Sequence, residues 1–357
     1  MLKLEARPEP SRIWTFASPL LALVITVLIG TLMFVALGKD PVKGLQMFFW
    51  LPISSAYAWG ELLVKATPLL IIALGLAVCF RSNVWNIGAE GQYIMGAVIG
   101  AAVGLAVFPT ESRWIFPAMV VAGAFGGLAW AMIPAILKTV FRTNEILVSL
   151  LLVYVAQNIL AMMALGALRN PEGGGFPGSR NLSQIPAMAN PELIAGTGMH
   201  WGVVAAFMAV IAGYILLQRH ILGFQIKLAG QAPRAARFAG VSPARLVVLC
   251  LGISGVLAGL AGVFEVTGPA GQISIDFNVG YGFTAIIVAF LGRLNPVGIL
   301  FAGLLMALTY IGGELAQLML GLPSAAIQAF QGMLLFFLLG TDLLTNFRVR
   351  LAKREVA

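Results

Sequence analysis

The chain has 357 residues, of which 60% are hydrophobic and only 10% are charged, and its mean hydropathy is +0.95. A soluble protein of this length would be unable to bury so many apolar side chains, so the composition excludes an ordinary soluble protein and predicts an all-α polytopic membrane protein. The two cysteines, Cys79 and Cys250, both lie in apolar runs and indicate no disulfide framework.

Ten membrane spans are predicted from the distribution of apolar residues along the chain. Windows of about 17–24 apolar residues are long enough to cross the hydrocarbon core as helices. The eighth span is short and bounded by glycines, which is typical of a half-helix or a re-entrant segment. The first is long for a signal-peptide core, so we expect it to be retained. The predicted spans cover residues 19–38, 61–80, 88–108, 114–137, 146–168, 200–218, 246–266, 280–292, 297–320 and 324–341.

The basic residues indicate how the spans are oriented. If the N-terminus is cytoplasmic, most of the 22 lysines and arginines fall in cytoplasmic connections, as the positive-inside rule requires. We therefore expect both termini in the cytoplasm, with an N-terminal segment at 1–18, a single transmembrane domain at 19–341 and a basic tail at 342–357. The same bias explains the net charge of +8, so no nucleic-acid partner is predicted. The outer connections hold only Lys39, Lys43, Arg113, Arg169 and Arg180.

A polar segment, Trp85-Asn86-Ile87-Gly88-Ala89-Glu90-Gly91-Gln92, interrupts the apolar runs at the start of the third span. Polar groups at membrane depth are expensive, so they usually face a cavity or a partner. The segment 277–282 at the start of the eighth span has the same order of aromatic, Asn, β-branched and Gly residues. This echo favours an inverted repeat of spans 2–5 and 7–10, with polar groups of both halves near the midplane.

The residues predicted to line a pathway for a polar solute are the intramembrane polar groups of both halves. They supply hydrogen-bond donors and acceptors suited to hydroxyls or to the edge of a nucleobase. The alternative interpretation is that they only tie helices together through interhelical hydrogen bonds. The set comprises Asn86, Glu90, Gln92, Asn158, Asn278 and Tyr281.

Two long connections join the spans. The outer connection, 169–199, is rich in Gly, Pro and Asn and is either a solvated loop or a docking surface for an external partner. The cytoplasmic connection, 219–245, contains a short predicted helix that begins at Pro233 and ends before Gly240. Its small-residue face suits the groove of another protein. The alternative is an interfacial helix that uses Arg234 and Arg237 against anionic membrane lipid.

Catalytic motifs are missing from the sequence. The pair Gly38-Lys39 lacks the remainder of a phosphate-binding loop, and two histidines and two cysteines build no recognised metal motif. We therefore predict no catalytic residue, no metal site and no cofactor bound by this chain. The energy for transport must then come from another chain or from an ion gradient.

The cytoplasmic helix resembles the coupling helix of ABC-importer permeases of the branched-chain amino acid, ribose and nucleoside type. Within this group, Asn86–Gln92 is similar to the signature of the subgroup that serves nucleoside and simple-sugar uptake. Thr143-Asn144-Glu145-Ile146 and Gly292-Arg293-Leu294-Asn295-Pro296 also resemble that subgroup. The resemblance covers about residues 60–340.

The resemblance implies a permease subunit in the plasma (inner) membrane of a bacterium or archaeon. It would pair with a second permease chain, identical or homologous, and with two cytoplasmic ATPase subunits that use the ATP. An extracytoplasmic substrate-binding protein would deliver the nucleoside or sugar. The implied ATPase-coupling residues are Gly230, Pro233, Ala235, Ala236, Phe238 and Gly240.

Two other classes of function stay open at this point. A secondary transporter or channel would use Glu90 as a proton-linked carboxylate. A structural membrane scaffold would carry no flux at all.

Overall fold

The computed structural model describes residues 2–7 and 11–351 and is built almost entirely of helices. The last residues of the predicted basic tail, 352–357, lie outside the described residues. A short antiparallel pair joins strand β1 (Leu2–Ala6) to strand β2 (Phe347–Leu351). The helices are α1 (Arg12–Ala36), α2 (Pro41–Leu45), α3 (Ala56–Arg81), α4 (Ala89–Ala106), α5 (Ile115–Phe141), α6 (Glu145–Leu165), α7 (Trp201–Tyr214), α8 (Ile221–Gln231), α9 (Pro233–Phe238), α10 (Pro243–Thr267), α11 (Tyr281–Leu291), α12 (Pro296–Leu320) and α13 (Ser324–Asn346).

Every predicted span coincides with a helix, which confirms an all-α membrane protein. Within the described residues, eight helices are long and apolar enough to cross a membrane, and Leu20–Ala36 and Tyr281–Leu291 are shorter apolar helices. Helix α11 has 11 residues and is therefore about 16 Å long, roughly half of the hydrocarbon core. The eighth predicted span is thus a half-helix. The total of ten spans and the cytoplasmic position of the termini stay predictions.

The chain divides into two compact units, residues 1–58 with 308–357 and residues 59–307. The first unit has a phenylalanine core, in which Phe34, Phe48 and Phe330 are fully buried. The rings of Phe48 and Phe330 lie 4.3 Å apart between centroids. Aromatic pairs at such distances add to the stabilisation from burial alone, so this cluster explains part of the high phenylalanine content of the chain.

The second unit contains every residue predicted to serve transport. Its helices α4, α5 and α10 pack closely because glycines face one another at their crossings. A Cβ added at Gly96 would collide with the backbone of Gly259, and one added at Gly127 would collide with the backbone of Gly255. Small residues permit such close approach of membrane helices, which fixes the positions of the side chains between them.

The outer connection 169–199 is packed against the segment that precedes α11. The backbone N–H of Ser179 donates to the carbonyl of Ile273 at 2.8 Å, and the Ser179 hydroxyl accepts from the N–H of Ile273 at 3.0 Å. Leu182 and Met188 are fully buried. A Gly- and Pro-rich composition therefore encodes a folded loop that holds the entrance to α11.

The cytoplasmic connection 219–245 contains one helix more than the sequence predicts. The short helix α9 begins at Pro233 as predicted, and Gly240 has a φ of 76°, the left-handed conformation that favours glycine after a helix end. The preceding helix α8 was not predicted. The next helix, α10, is capped by Ser242, whose hydroxyl accepts from the N–H of Arg245 at 3.5 Å.

Candidate functional site

Glu90 lies where the N-termini of α4 and α11 meet. Its side chain is fully buried, and its carboxylate accepts hydrogen bonds from the backbone N–H groups of Gly280, at 3.1 Å, and Gly282. Each helix N-terminus presents unpaired N–H groups and a partial positive charge. The carboxylate therefore stabilises two helix starts that would otherwise repel each other inside the membrane.

The backbone of the second motif is adapted to this contact. Gly280 has a φ of 83°, which a residue with a side chain rarely adopts. A Cβ at Gly282 would lie 2.6 Å from the Cα of Glu90 and 2.7 Å from its Oε2, too close for any side chain. The two polar motifs recognised in the sequence are thus brought into direct contact. The inverted repeat they suggest stays a prediction.

Asn86 holds the extended segment before α4 in place. Its Nδ2 donates to Gln92 Oε1 at 3.0 Å and to Ser254 Oγ at 2.9 Å. Its Oδ1 accepts from Gln92 Nε2 at 3.2 Å and from the N–H of Gly88 at 3.1 Å. Both hydrogens and both acceptor positions of this buried amide are thus used within the chain.

The same segment is also tied to α6. The Ser149 hydroxyl accepts from the N–H of Ile87 at 3.2 Å. Glu145, in the first turn of α6, forms a salt bridge with Lys138 at the end of α5. The cap of α6 itself is Asn144, whose side chain accepts from the N–H of Ile146 at 2.9 Å. The Thr143–Ile146 motif therefore fixes the turn between α5 and α6 and supports the polar segment.

A cluster of aromatic and charged side chains includes Tyr93, one turn after Glu90 in α4, and Tyr281 at the start of α11. The rings of Tyr93 and Phe277 stack at 5.2 Å with an interplanar angle of 9°, and the ring of Tyr281 meets that of Tyr93 edge-on at 6.0 Å. The Lys65 ammonium lies 5.9 Å from the centre of the Tyr281 ring. Glu265, on α10, interacts electrostatically with Lys65. Helices α3, α4, α10 and α11 therefore contribute to one group of polar and aromatic residues, in which Tyr93, Phe277 and Tyr281 are buried and Lys65 and Glu265 are partly buried.

Among the residues of this region that the structure describes, two polar atoms are buried without a hydrogen-bond partner. They are the hydroxyl of Tyr93 and the Oδ1 of Asn278. Buried polar atoms are nearly always satisfied, so such exceptions need an explanation. Sequence reasoning did not single out Tyr93, although this residue directly follows Gln92 at the end of the polar segment. It also missed the roles of Lys65 and Phe277.

Asn158 does not join the other predicted pathway residues. It lies on an exposed face of α6, and its Nδ2 donates to the carbonyl of Tyr154 at 2.7 Å. Within the described part of the chain, no hydrogen bond or ring contact connects it to Glu90 or Tyr281.

The predicted coupling residues lie between the end of α8 and the residues just after the short helix α9. The side chain of Phe238, at the end of the short helix α9, is 94% exposed, while that of Ala236 in the same helix is buried. Ala235 lies on the exposed side. Gly230 allows α8 to approach the end of α3, because a Cβ there would collide with the carbonyl of Arg81. A rigid platform therefore presents one large aromatic side chain to its surroundings.

His200 is a buried polar residue at the start of α7. Its Nδ1 accepts from the N–H of Gly202 at 3.0 Å and lies 3.0 Å from Nδ2 of Asn190. Burial lowers the pKa of His200 to about 4. The neutral imidazole thus serves as the cap of α7 and links it to the outer loop.

Comparison with known proteins identifies the family of the chain. Residues 59–339 match the family described as branched-chain amino acid transport system, permease component. The chain is 32% identical to a glucose ABC transporter permease protein of Haloferax volcanii, over 98% of this chain and 94% of the relative. It is 29% identical to a nucleoside ABC transporter permease protein of Lactococcus lactis, over 90% and 89%. It is 27% identical to a guanosine ABC transporter permease protein of Bacillus subtilis, over 89% and 91%.

No solved structure matches the chain. The family match extends over more than half of the sequence, and it includes the polar segment, the second motif and the helix α9. The chain therefore belongs to the family of permease components of branched-chain amino acid transport systems.

Proposed function

We propose that the chain is the membrane subunit of an ATP-driven ABC importer for a nucleoside or a simple sugar. The observation that carries the proposal is the near full-length similarity to permeases named for glucose, nucleosides and guanosine. These solutes are polar, and all of them bear several hydroxyl groups. A pathway for them needs hydrogen-bonding groups and apolar ring faces inside the membrane.

The buried cluster around Tyr93 supplies such groups. The rings of Tyr93, Phe277 and Tyr281 offer flat apolar surfaces, and the unpartnered Tyr93 hydroxyl and Asn278 Oδ1 offer one group able to donate and one acceptor. We expect these atoms to meet the hydroxyls of the substrate in another state of the transport cycle. Asn86, Glu90 and Gln92 then act as the frame of the pathway, because their hydrogen bonds hold the two helix starts.

The helix α9 is the proposed coupling element. Phe238 is almost completely exposed, and an exposed aromatic residue on a short rigid helix is suited to insert into a pocket of a partner. The partner would be an ATPase subunit, which binds and hydrolyses the ATP. Differential contact of this partner with α9 in its two nucleotide states would shift which side of the pathway is open.

The proposed assembly has two permease chains, two cytoplasmic ATPase subunits and an extracytoplasmic substrate-binding protein. The exposed Asn158 on α6 fits an assembly of this kind, since a polar side chain on an outer face of a span is costly against lipid. A second permease chain would cover it. The location is the plasma membrane of a bacterium or archaeon.

The competing interpretation, a proton-linked carrier, relies on Glu90 as an accessible carboxylate. The comparisons give it no support. Glu90 is fully buried and its two oxygens accept from Gly280 and Gly282, so its geometry is that of a helix-capping group.

The test is uptake by the reconstituted transporter. The permease, its ATPase subunits and its binding protein are placed in liposomes with internal ATP, and radiolabelled guanosine, uridine, ribose and glucose are offered outside. We expect uptake of one solute class that requires ATP, the ATPase and the binding protein. Uptake by the permease alone, driven by a proton or sodium gradient, would overturn the proposal.

A further inference from the structure

A basic cavity lies at the ends of α3 and α7 and beside α8. Its volume is about 920 Å³, and its walls include the side chains of Arg81, Arg219 and Lys227. Among the described residues that line it, none is acidic. One nitrogen of Arg81 donates to the carbonyl of Leu217 at 3.4 Å, which holds the guanidinium at the cavity wall. A cavity with three cationic side chains and no carboxylate is suited to an anion that carries phosphate.

An apolar groove of about 830 Å³ adjoins this basic cavity. It runs between α3, α5, α7 and α10, and among the described residues that line it only His220 is polar. His220 also lines the basic cavity, so the two spaces share a wall. The groove is lined by the C-terminal part of α7 and the N-terminal part of α10, as Ala212 and Val248 show. The apolar groove therefore lies in the half of the membrane that is nearer to the basic cavity.

Helix α8 places the cavity at the membrane surface. Ile221 is 69% exposed and Phe224 is 62% exposed, and both also line the basic cavity. Exposed apolar side chains on a helix with neighbouring cations are typical of a helix that lies in the lipid interface. By the distribution of basic residues, this is the cytoplasmic face.

We infer that the cavity and the groove together form a binding site for an anionic phospholipid of the inner leaflet. The headgroup phosphate lies between Arg219, Lys227 and Arg81, and one acyl chain occupies the apolar groove. Charge complementarity selects the headgroup, since clustered Lys and Arg side chains at the membrane surface attract anionic lipid. A free phosphate compound would satisfy the cations but would leave the groove empty.

The experiment measures lipid retention by the purified transporter complex in nanodiscs that contain phosphatidylglycerol and phosphatidylcholine. Retained lipid is counted by mass spectrometry after transfer to detergent. We expect preferential retention of phosphatidylglycerol, lowered about tenfold in Arg219→Gln/Lys227→Gln. The matched control, Arg142→Gln/Arg245→Gln, removes two cations of the same face that do not line the cavity and should retain the lipid. If the double variant fails to fold, the single variants Arg219→Gln and Lys227→Gln should each lower retention about threefold.

A second pair of variants tests the groove. Ala212→Phe fills the groove and should lower retention of phosphatidylglycerol, whereas Ala118→Phe, on an exposed face of α5 outside the groove, should not. Glycerol 1-phosphate is the soluble competitor, and we expect it to displace the lipid only weakly. Full displacement by glycerol 1-phosphate with no effect of Ala212→Phe would overturn the lipid assignment.

Two further outcomes would also overturn it. Equal retention of phosphatidylglycerol by the wild type and the Arg219/Lys227 double variant would show that the cations hold no lipid. Loss of the ATPase subunit from that variant, with lipid retention unchanged, would assign the cavity to the ATPase.

Discussion

The Glu90 carboxylate accepts the backbone N–H of Gly280 at 3.1 Å, across 190 positions of sequence. This contact joins the start of a full span to the start of a half-helix, and a second hydrogen bond from Gly282 completes it. Both helices therefore begin at the same buried point. A half-helix in a membrane exposes its first N–H groups to a medium without water, and Glu90 supplies the acceptors that they need.

Replacement of Glu90 is expected to destabilise the protein before it affects any chemistry. Glu90→Ala leaves the N–H groups of Gly280 and Gly282 without an acceptor, which costs about 1–3 kcal/mol for each group. Glu90→Gln retains one oxygen and should cost less. Thermal unfolding in detergent should rank wild type, Gln and Ala in that order, and ATP-driven uptake should follow the same order. The control Glu111→Gln changes an exposed carboxylate. A Glu90→Ala variant as stable as the wild type would contradict this role.

The hydrogen bond between Asn86 and Ser254 is expected to show as an energetic coupling. Asn86→Ala removes the partners of Gln92 and Ser254 in a buried region, so we expect a loss of about 1–3 kcal/mol in the free energy of unfolding. Ser254→Ala should cost less, because Asn86 keeps its bonds to Gln92. The double-mutant cycle should give a coupling of about 0.5–3 kcal/mol. Additive effects would show that the two side chains act independently.

The sequence predicts where helices begin and end better than it predicts long-range contacts. Pro233 and Gly240 predict α9, and the glycines around 280 predict the half-helix, because each signal acts within a few residues. The two polar motifs could be paired because they share a pattern. Ser254 could not be recognised, since a serine in an apolar span carries no local signal for its partner 168 positions away.

Side-chain direction was the second feature that the sequence could not supply. Six pathway residues were predicted, yet the Asn86 and Gln92 side chains form hydrogen bonds within the protein and Asn158 lies on an exposed face. Tyr93, which no pattern singled out, has an unpartnered buried hydroxyl. Helix α8 was missed because its glycines and mixed polarity are typical of a loop.

Tyr93→Phe separates a structural role from a role in transport. Removal of a buried hydroxyl without a partner should leave the free energy of unfolding unchanged or raise it by about 1 kcal/mol. If the hydroxyl bonds to substrate during transport, KM should rise about fivefold to tenfold. The control Tyr154→Phe removes a hydroxyl from an exposed position on α6. Unfolding temperature and the concentration dependence of uptake are the measurements. Lower stability with unchanged KM would make the hydroxyl structural.

Phe238→Ala is expected to uncouple transport without destabilising the permease. The side chain is 94% exposed, so its removal should change the unfolding temperature little. A central aromatic residue in an interface contributes about 2 kcal/mol or more, so ATPase binding should weaken more than tenfold. The matched control is Phe176→Ala, an exposed phenylalanine in the outer loop. Co-purification of the ATPase and substrate-stimulated ATP hydrolysis measure the effect. Equal losses in both variants would argue against a coupling role of α9.

His200 is expected to make the stability of the permease fall in acid. Its pKa is ordinarily near 6.5, and burial lowers it to about 4 in the folded protein. The unfolded chain therefore binds a proton at a higher pH than the folded chain does. The contribution of His200 to the free energy of unfolding is therefore fully present above pH 6.5 and is lost as the pH falls from about 6.5 to 4. The maximum loss is about 3 kcal/mol.

The measurement compares the unfolding temperature of the wild type and His200→Asn between pH 7 and pH 4. Asparagine keeps a short polar side chain that can cap α7 without titrating in this range. We expect the variant to be less stable at pH 7 but to lose less stability on acidification than the wild type. Carboxylates titrate in both proteins and cancel in the comparison, so the difference between the two slopes reports His200 alone. If the unfolding temperatures of the two proteins fall equally with pH, the pKa of His200 is not lowered in the folded protein.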